Sequence, residues 1–161
     1  MKRIILILAA LLLSISAFAQ NGKNIYQKYS DAEGVTAVYI SPAMFRLIGS
    51  IPDLEVGDEK VNIAPLVQAL SGFYVIDSEN PDVNGRLRGE VETLINRGKY
   101  EMLMEVKDSG ETVRMYTMGD EKTVEGFVML AAEAAELTFI CLDGKMPRKD
   151  FEALIASALD S

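Results

Sequence analysis

Apolar residues recur every three or four positions in two stretches of the chain and every second position in several others. This alternation of period predicts helices interleaved with strands. After Asn80-Pro81, the residues Val83, Leu87, Val91, Leu94 and Ile95 share one helical face before Gly98 ends the run. A second stripe of Phe151, Leu154, Ile155, Ala158 and Leu159 marks a helix from Pro147 to Leu159. Towards the N-terminus, Asn24 to Tyr29 reads as a short helix carrying Ile25, Tyr26 and Tyr29. Val35 to Ile40 is β-rich, and Ser41-Pro42 caps and starts a helix through Ile48. Gly49 to Lys60 is polar and reads as a loop. A short helix is expected over Ile63 to Leu70, capped by Asn62 and stopped by Gly72, followed by a strand from Phe73 to Asp77.

Between the two long helices lie four strands, and turn chemistry sets their expected register. With Ser109-Gly110 as a two-residue turn, Val106 faces Val113, Glu105 faces Arg114, Met104 faces Met115 and Leu103 faces Tyr116. A one-residue slip would put Glu105 opposite Val113, so this register is preferred. A turn over Gly119 to Lys122 pairs Thr117 with Val124 and Met115 with Gly126. Another near Glu133-Ala134 sets Val128 against Phe139 and Leu130 against Leu137. The expected core face then holds Met102, Met104, Val106, Val113, Met115, Val124, Val128, Leu130, Leu137, Phe139 and Cys141, covered by the two amphipathic helices.

The opposite face would carry Glu101, Leu103, Glu105, Arg114, Tyr116, Glu125, Phe127, Met129, Thr138, Ile140 and Leu142. It is too apolar for open water and too charged for a dry core. Three uses of it are open. The N-terminal segments with Ile25, Tyr26, Tyr29, Met44, Phe45 and Leu47 could fold over it. It could bind a protein or an apolar ligand, with Leu103, Glu105, Arg114, Tyr116, Glu125, Phe127 and Met129 as the candidate contacts. Or Glu105 and Glu125, with Tyr116 and Arg114, could form a paired-carboxylate hydrolytic centre. Cross-strand charge pairing already accounts for Glu105 and Arg114 without catalysis, so a non-catalytic role is expected.

Composition narrows the chemistry further. The chain of 161 residues has no histidine and one cysteine. Histidine-based acid–base catalysis, His-ligated metals, a Cys–His pair and an internal disulfide are therefore excluded. Cys141 lies in the run Leu137-Thr138-Phe139-Ile140-Cys141-Leu142 and reads as a packed thiol. No cofactor or metal is expected. Asp53, Glu55, Asp58 and Glu59 lack the spacing of a calcium loop and read as solvated acids. Asp77, Glu79 and Asp82 flank a helix start, where negative charge is favoured.

The first residues change the picture of where the protein works. Lys2-Arg3, the apolar run Ile4 to Leu13 and Ala17-Phe18-Ala19 have the layout of a cleavable secretory signal. Cleavage after Ala19 would start the mature protein at Gln20, in the periplasm or outside the cell. Loss of 19 of the 161 residues leaves 142, the size of one domain from 20 to 161. The formal charge of −8 falls to −10 with the loss of Lys2 and Arg3, which argues against nucleic-acid partners. No transmembrane segment is expected in the mature chain.

Three stretches carry a resemblance to a known family: Ile25-Tyr26-Gln27-Lys28-Tyr29, Gly34 to Phe45 (GVTAVYISPAMF), and Val124 to Met129 with Glu136 to Gly144. In them the chain resembles the DUF4252 family, small exported proteins found mainly in Bacteroidetes. The resemblance implies no assigned activity and no catalytic residues to carry over. Proximity of members to sigma-factor genes implies a link to envelope stress signalling. The combined expectation is one α+β domain with a largely antiparallel mixed sheet, a four-stranded meander and amphipathic helices packed on one face. Its expected function is exported, non-catalytic binding of an envelope protein or an apolar ligand.

Overall fold

The computed structural model describes residues 21–48, 54–56, 59–61 and 68–159. In chain order these form α1 (Gly22–Tyr29), β1 (Val35–Ile40), α2 (Pro42–Ile48), β2 (Leu54–Val56), β3 (Glu59–Val61), β4 (Leu70–Ser78) and α3 (Pro81–Arg97). The meander β5 (Glu101–Asp108), β6 (Glu111–Gly119), β7 (Thr123–Ala132) and β8 (Leu137–Pro147) follows, and α4 (Arg148–Leu159) comes last. Six strands make one open sheet in the order β1-β4-β8-β7-β6-β5, with every neighbouring pair antiparallel. The expected α+β class is therefore what forms. The N-terminal segment read as an export signal and the acids Asp53 and Asp58 lie outside the described residues.

Local chemistry explains the elements that match expectation. Asn80 accepts from the backbone N–H groups of Asp82 and Val83, Pro81 opens α3, and Gly98 ends it. Val83, Leu87, Val91, Leu94 and Ile95 are all buried, each contributing roughly 1.5–3 kcal/mol of hydrophobic stabilisation. The β5–β6 turn uses Ser109 and Gly110 at φ of 44° and 100°, the left-handed pair that a two-residue hairpin needs. Its register follows with Val106 opposite Val113, Glu105 opposite Arg114 and Met104 opposite Met115.

Five details differ from the reading of the sequence. The β7–β8 turn closes with the Glu133 N–H donating to the Glu136 carbonyl, so Val128 meets Cys141 rather than Phe139 and Leu130 meets Phe139 rather than Leu137, an even shift that keeps each side chain on its face. The polar loop contains a short hairpin, β2 against β3, with Leu54 opposite Val61. The helix expected over Ile63 to Leu70 falls largely on residues 62–67, outside the described ones, and Leu70 opens β4 instead. A bulge at Leu103 brings Met102, not Leu103, opposite Tyr116. The last difference has the widest effect. Thr117 pairs with Phe127 rather than Val124, a slip of three residues, with a bulge between Met118 and Gly119. Asp120 causes this by closing the connection: its N–H donates to the Thr123 carbonyl, and its carboxylate accepts from the N–H groups of Lys122 and Thr123.

An odd slip exchanges faces. The face holding Val128, Leu130, Leu137, Phe139 and Cys141 joins Tyr116, not Met115, across the β6–β7 ladder. Helices α1 and α3 cover this face through Ile25, Tyr29 and the apolar stripe of α3. The pair is tied by the Tyr29 hydroxyl, which donates to Glu90 at 2.8 Å, and by an ion pair from Lys28 to the same carboxylate. Helix α4, expected to share a face with α3, takes the opposite one, because the slip carries the apolar side chains of β6 with Phe127 and Met129 to that side. There Phe151 packs with Phe127, Val124, Met146 and Phe45 of α2.

Candidate ligand-binding face

The ladders align the second face into rows. One row crosses all six strands as Val38, Val75, Ile140, Met129, Met115 and Met104. Every member is apolar, and none of the six is buried. The adjacent row, Ile40, Phe73, Leu142 and Phe127, is the one that Phe45 and Phe151 close over. Two helices thus cover one band of the face and leave the next band half open. An apolar strip left in this state is a candidate contact surface.

Where the strip reaches β6 and β5, helix α4 roofs it without filling the space below. A cavity of about 310 Å³ remains, lined by Leu103, Met104 and Met115 from the sheet and by Phe151, Ile155 and Ala156 from the helix. Arg148 and Glu152 stand at its rim. The start of α4 is pinned to the β6–β7 turn. The Arg148 backbone N–H donates to the Lys122 carbonyl at 2.9 Å, and its Nε donates to the Asp120 carbonyl at 2.8 Å. The roof and its guanidinium are therefore held in place by backbone acceptors.

The sequence-derived candidates divide between the two faces. Leu103 and Met129 lie on the α4 face, Leu103 at the cavity and Met129 on the half-open row. Phe127 is on the same face but buried, its ring 5.5 Å from that of Phe151. Glu105, Arg114 and Tyr116 lie on the α3 face. There the Arg114 Nε donates to Glu105 at 2.6 Å, and Lys107 pairs with the other carboxylate oxygen at 2.8 Å. These two cationic donors hold the Glu105 carboxyl below its usual pKa. Glu125 borders a separate hollow with Asn21, Ser71, Asp143 and Lys145, and lies 3.7 Å from Lys145. The two glutamates of the hydrolytic reading are not brought together. Of the N-terminal residues expected to cover the second face, Phe45 does so, while Ile25 and Tyr29 belong to the other core.

Arg148, Glu152 and Ala156 were not among the sequence candidates, although their spacing places them on one side of α4 beside the Phe151–Ile155 stripe. A stripe flanked by charges of both signs was the available signal. On the α3 face a second polar group forms around Cys141, whose thiol lies 3.6 Å from the Asp143 carboxylate. Burial, then the nearby Asp143 charge, pushes that thiol well above its usual pKa, which leaves it a poor nucleophile.

Among the described residues, no group of three or more Cys, Asp or Glu side chains is arranged to hold a metal ion. No described helix is long and apolar enough to cross a membrane. No curated protein matches the chain at a significant level. Residues 29–154 match the family described as Domain of unknown function (DUF4252), and with most of its length covered the chain belongs to that family.

Proposed function

We propose that this is an exported, non-catalytic protein that binds the apolar part of a ligand in the cavity between α4 and the β5–β6 hairpin. The observation that carries the reading is the cavity itself: about 310 Å³ under a pinned helix, walled by aliphatic, aromatic and thioether groups. That volume is at the small end of ligand sites, which run roughly 300–1,000 Å³. The half-open row from Val38 to Met104 supports the same reading, because it continues the apolar surface beyond the helix. Glu105 is neutralised by Arg114 and Lys107, which favours a structural role for that carboxylate. Lys2-Arg3, the apolar run after them and Ala17-Phe18-Ala19 support export.

Titration with the apolar fluorophore N-phenyl-1-naphthylamine tests the binding role. Saturable enhancement is expected, lost in Met104→Glu and kept in Val38→Glu, which lies on the same row at the far edge of the sheet. Equal retention in both variants, or no saturable enhancement in the parent, overturns the assignment to this cavity. Mass spectrometry of the secreted product tests export, with Gln20 expected as the first residue.

A further inference from the structure

We propose that the occupant of this cavity is a single-chain amphiphile with a zwitterionic head, its tail beneath α4 and its head between Arg148 and Glu152. The inference rests on the binding role above and adds the chemistry of the ligand. Below the rim, the lining from Leu103, Met104, Met115, Phe151, Ile155 and Ala156 offers nothing but hydrocarbon and thioether. It can recognise a chain and no polar group. Its volume of about 310 Å³ suits one such chain rather than two.

The head is argued from the rim. Arg148 and Glu152 line both the apolar cavity and a polar depression beyond it, so these two side chains form the border between the two spaces. The depression is completed by Glu121, Lys122, Pro147, Lys149 and Asp150. Its charged residues are three bases and three acids. In a chain of formal charge −8 this is a locally balanced patch, so neither a purely anionic nor a purely cationic head is preferred. At the rim, the Arg148 Nε is taken by the Asp120 carbonyl, and the rest of the guanidinium and the Glu152 carboxylate are in no salt bridge with another described residue. The ion pairs of Lys28 with Glu90, of Lys107 and Arg114 with Glu105, and of Lys145 with Glu125 include neither Arg148 nor Glu152. Standing one helical turn apart, they present opposite charges to one ligand. An acyl or alkyl chain ending in an ammonium and a phosphate or carboxylate complements all of these features.

Isothermal titration calorimetry of the purified protein with dodecylphosphocholine, kept below its micelle-forming concentration, tests the proposal. Dodecanol, laurate and dodecyltrimethylammonium serve as neutral, anionic and cationic homologues. The zwitterion should bind about five-fold tighter than either singly charged homologue, the scale of one or two charge-assisted contacts at a partly exposed rim. Arg148→Gln and Glu152→Gln should each lower the ratio of zwitterion to dodecanol affinity about five-fold, a ratio in which any loss common to both ligands from a displaced α4 cancels. Equal binding of laurate or the ammonium, or an advantage that survives both substitutions, overturns the head assignment. In that event dodecanol binding that Met104→Glu blocks would leave the cavity as the site. Absence of saturable binding by all four homologues overturns both the head assignment and the cavity.

Discussion

A β-carbon added at Gly22 would stand 2.3 Å from the Cys141 Sγ and 2.8 Å from its Cβ, so the first turn of α1 lies directly on the thiol. Gly22→Ala should cost about 1–3 kcal/mol, the range for overpacking a close contact. In denaturant titrations the loss should shrink when combined with Cys141→Ala, since two touching residues are not additive. The same seal protects the sulfur. Alkylation by iodoacetamide at pH 8 should be slow in native protein and fast in denaturant; fast native labelling would mean that α1 opens. Asp143 beside it has a raised pKa because burial outweighs the thiol's donated hydrogen bond. The folded state then holds this proton more tightly than the unfolded chain. Asp143 therefore costs no stability below the unfolded carboxylate pKa, and its cost grows as pH rises through the folded value. Asp143→Asn keeps an acceptor for the thiol and should raise the melting temperature at pH 7, with the gain fading towards pH 3. A gain independent of pH would place its origin elsewhere.

Among the elements, α3 and the β5–β6 hairpin were legible in the sequence because each is specified by adjacent residues. Asn80, Pro81 and Gly98 bound the helix, and Ser109-Gly110 sets the hairpin. Asn80→Ala should destabilise by about 1 kcal/mol or somewhat more, because its side chain also donates to the Glu33 carbonyl at 2.9 Å. Asn80→Asp, which keeps the cap and loses that donor, should fall between the two in chemical denaturation. The β6–β7 register was not legible. Its turn depends on Asp120 bonding two N–H groups and on Gly119 at φ of 151°, where a β-carbon would meet the Thr123 carbonyl oxygen at 2.1 Å. Nothing in an alternating apolar pattern encodes such a bulge, since Met115 and Tyr116 are both plausible core residues. The consequence for the site was direct. Leu103, Phe127 and Met129 were grouped with Glu105, Arg114 and Tyr116, yet the two trios lie on opposite faces of the sheet. Arg148 and Glu152 are not legible as site residues in the sequence, because charges on a helix flank are ordinarily solvated.

For the whole molecule, the sheet divides two cores of unequal closure, and neighbouring residues on β7 report them separately. Val128 is fully buried under α1 and α3. Val128→Asp should unfold the protein, an unpaired buried charge costing about 3–5 kcal/mol or more. Met129 belongs to the half-open row on the other side, so Met129→Asp should leave a folded protein with a cooperative melt. The reverse order in circular dichroism melts would mean that β7 is registered the other way. Strand β8 stands at the junction of this arrangement. On one side it pairs with β7, which ends at Ala132, only a short turn before Leu137; on the other it pairs with β4, so that Ile76 meets Phe139 across more than sixty residues of chain. Closing so long a loop is entropically slower than zipping a meander. Refolding should therefore begin with β5 to β8 and finish when β4, with β1 beside it, docks on β8. Until then β8 is a bare, strongly apolar edge, and the interval before docking is when a newly folding chain is most exposed to pairing with another copy of itself.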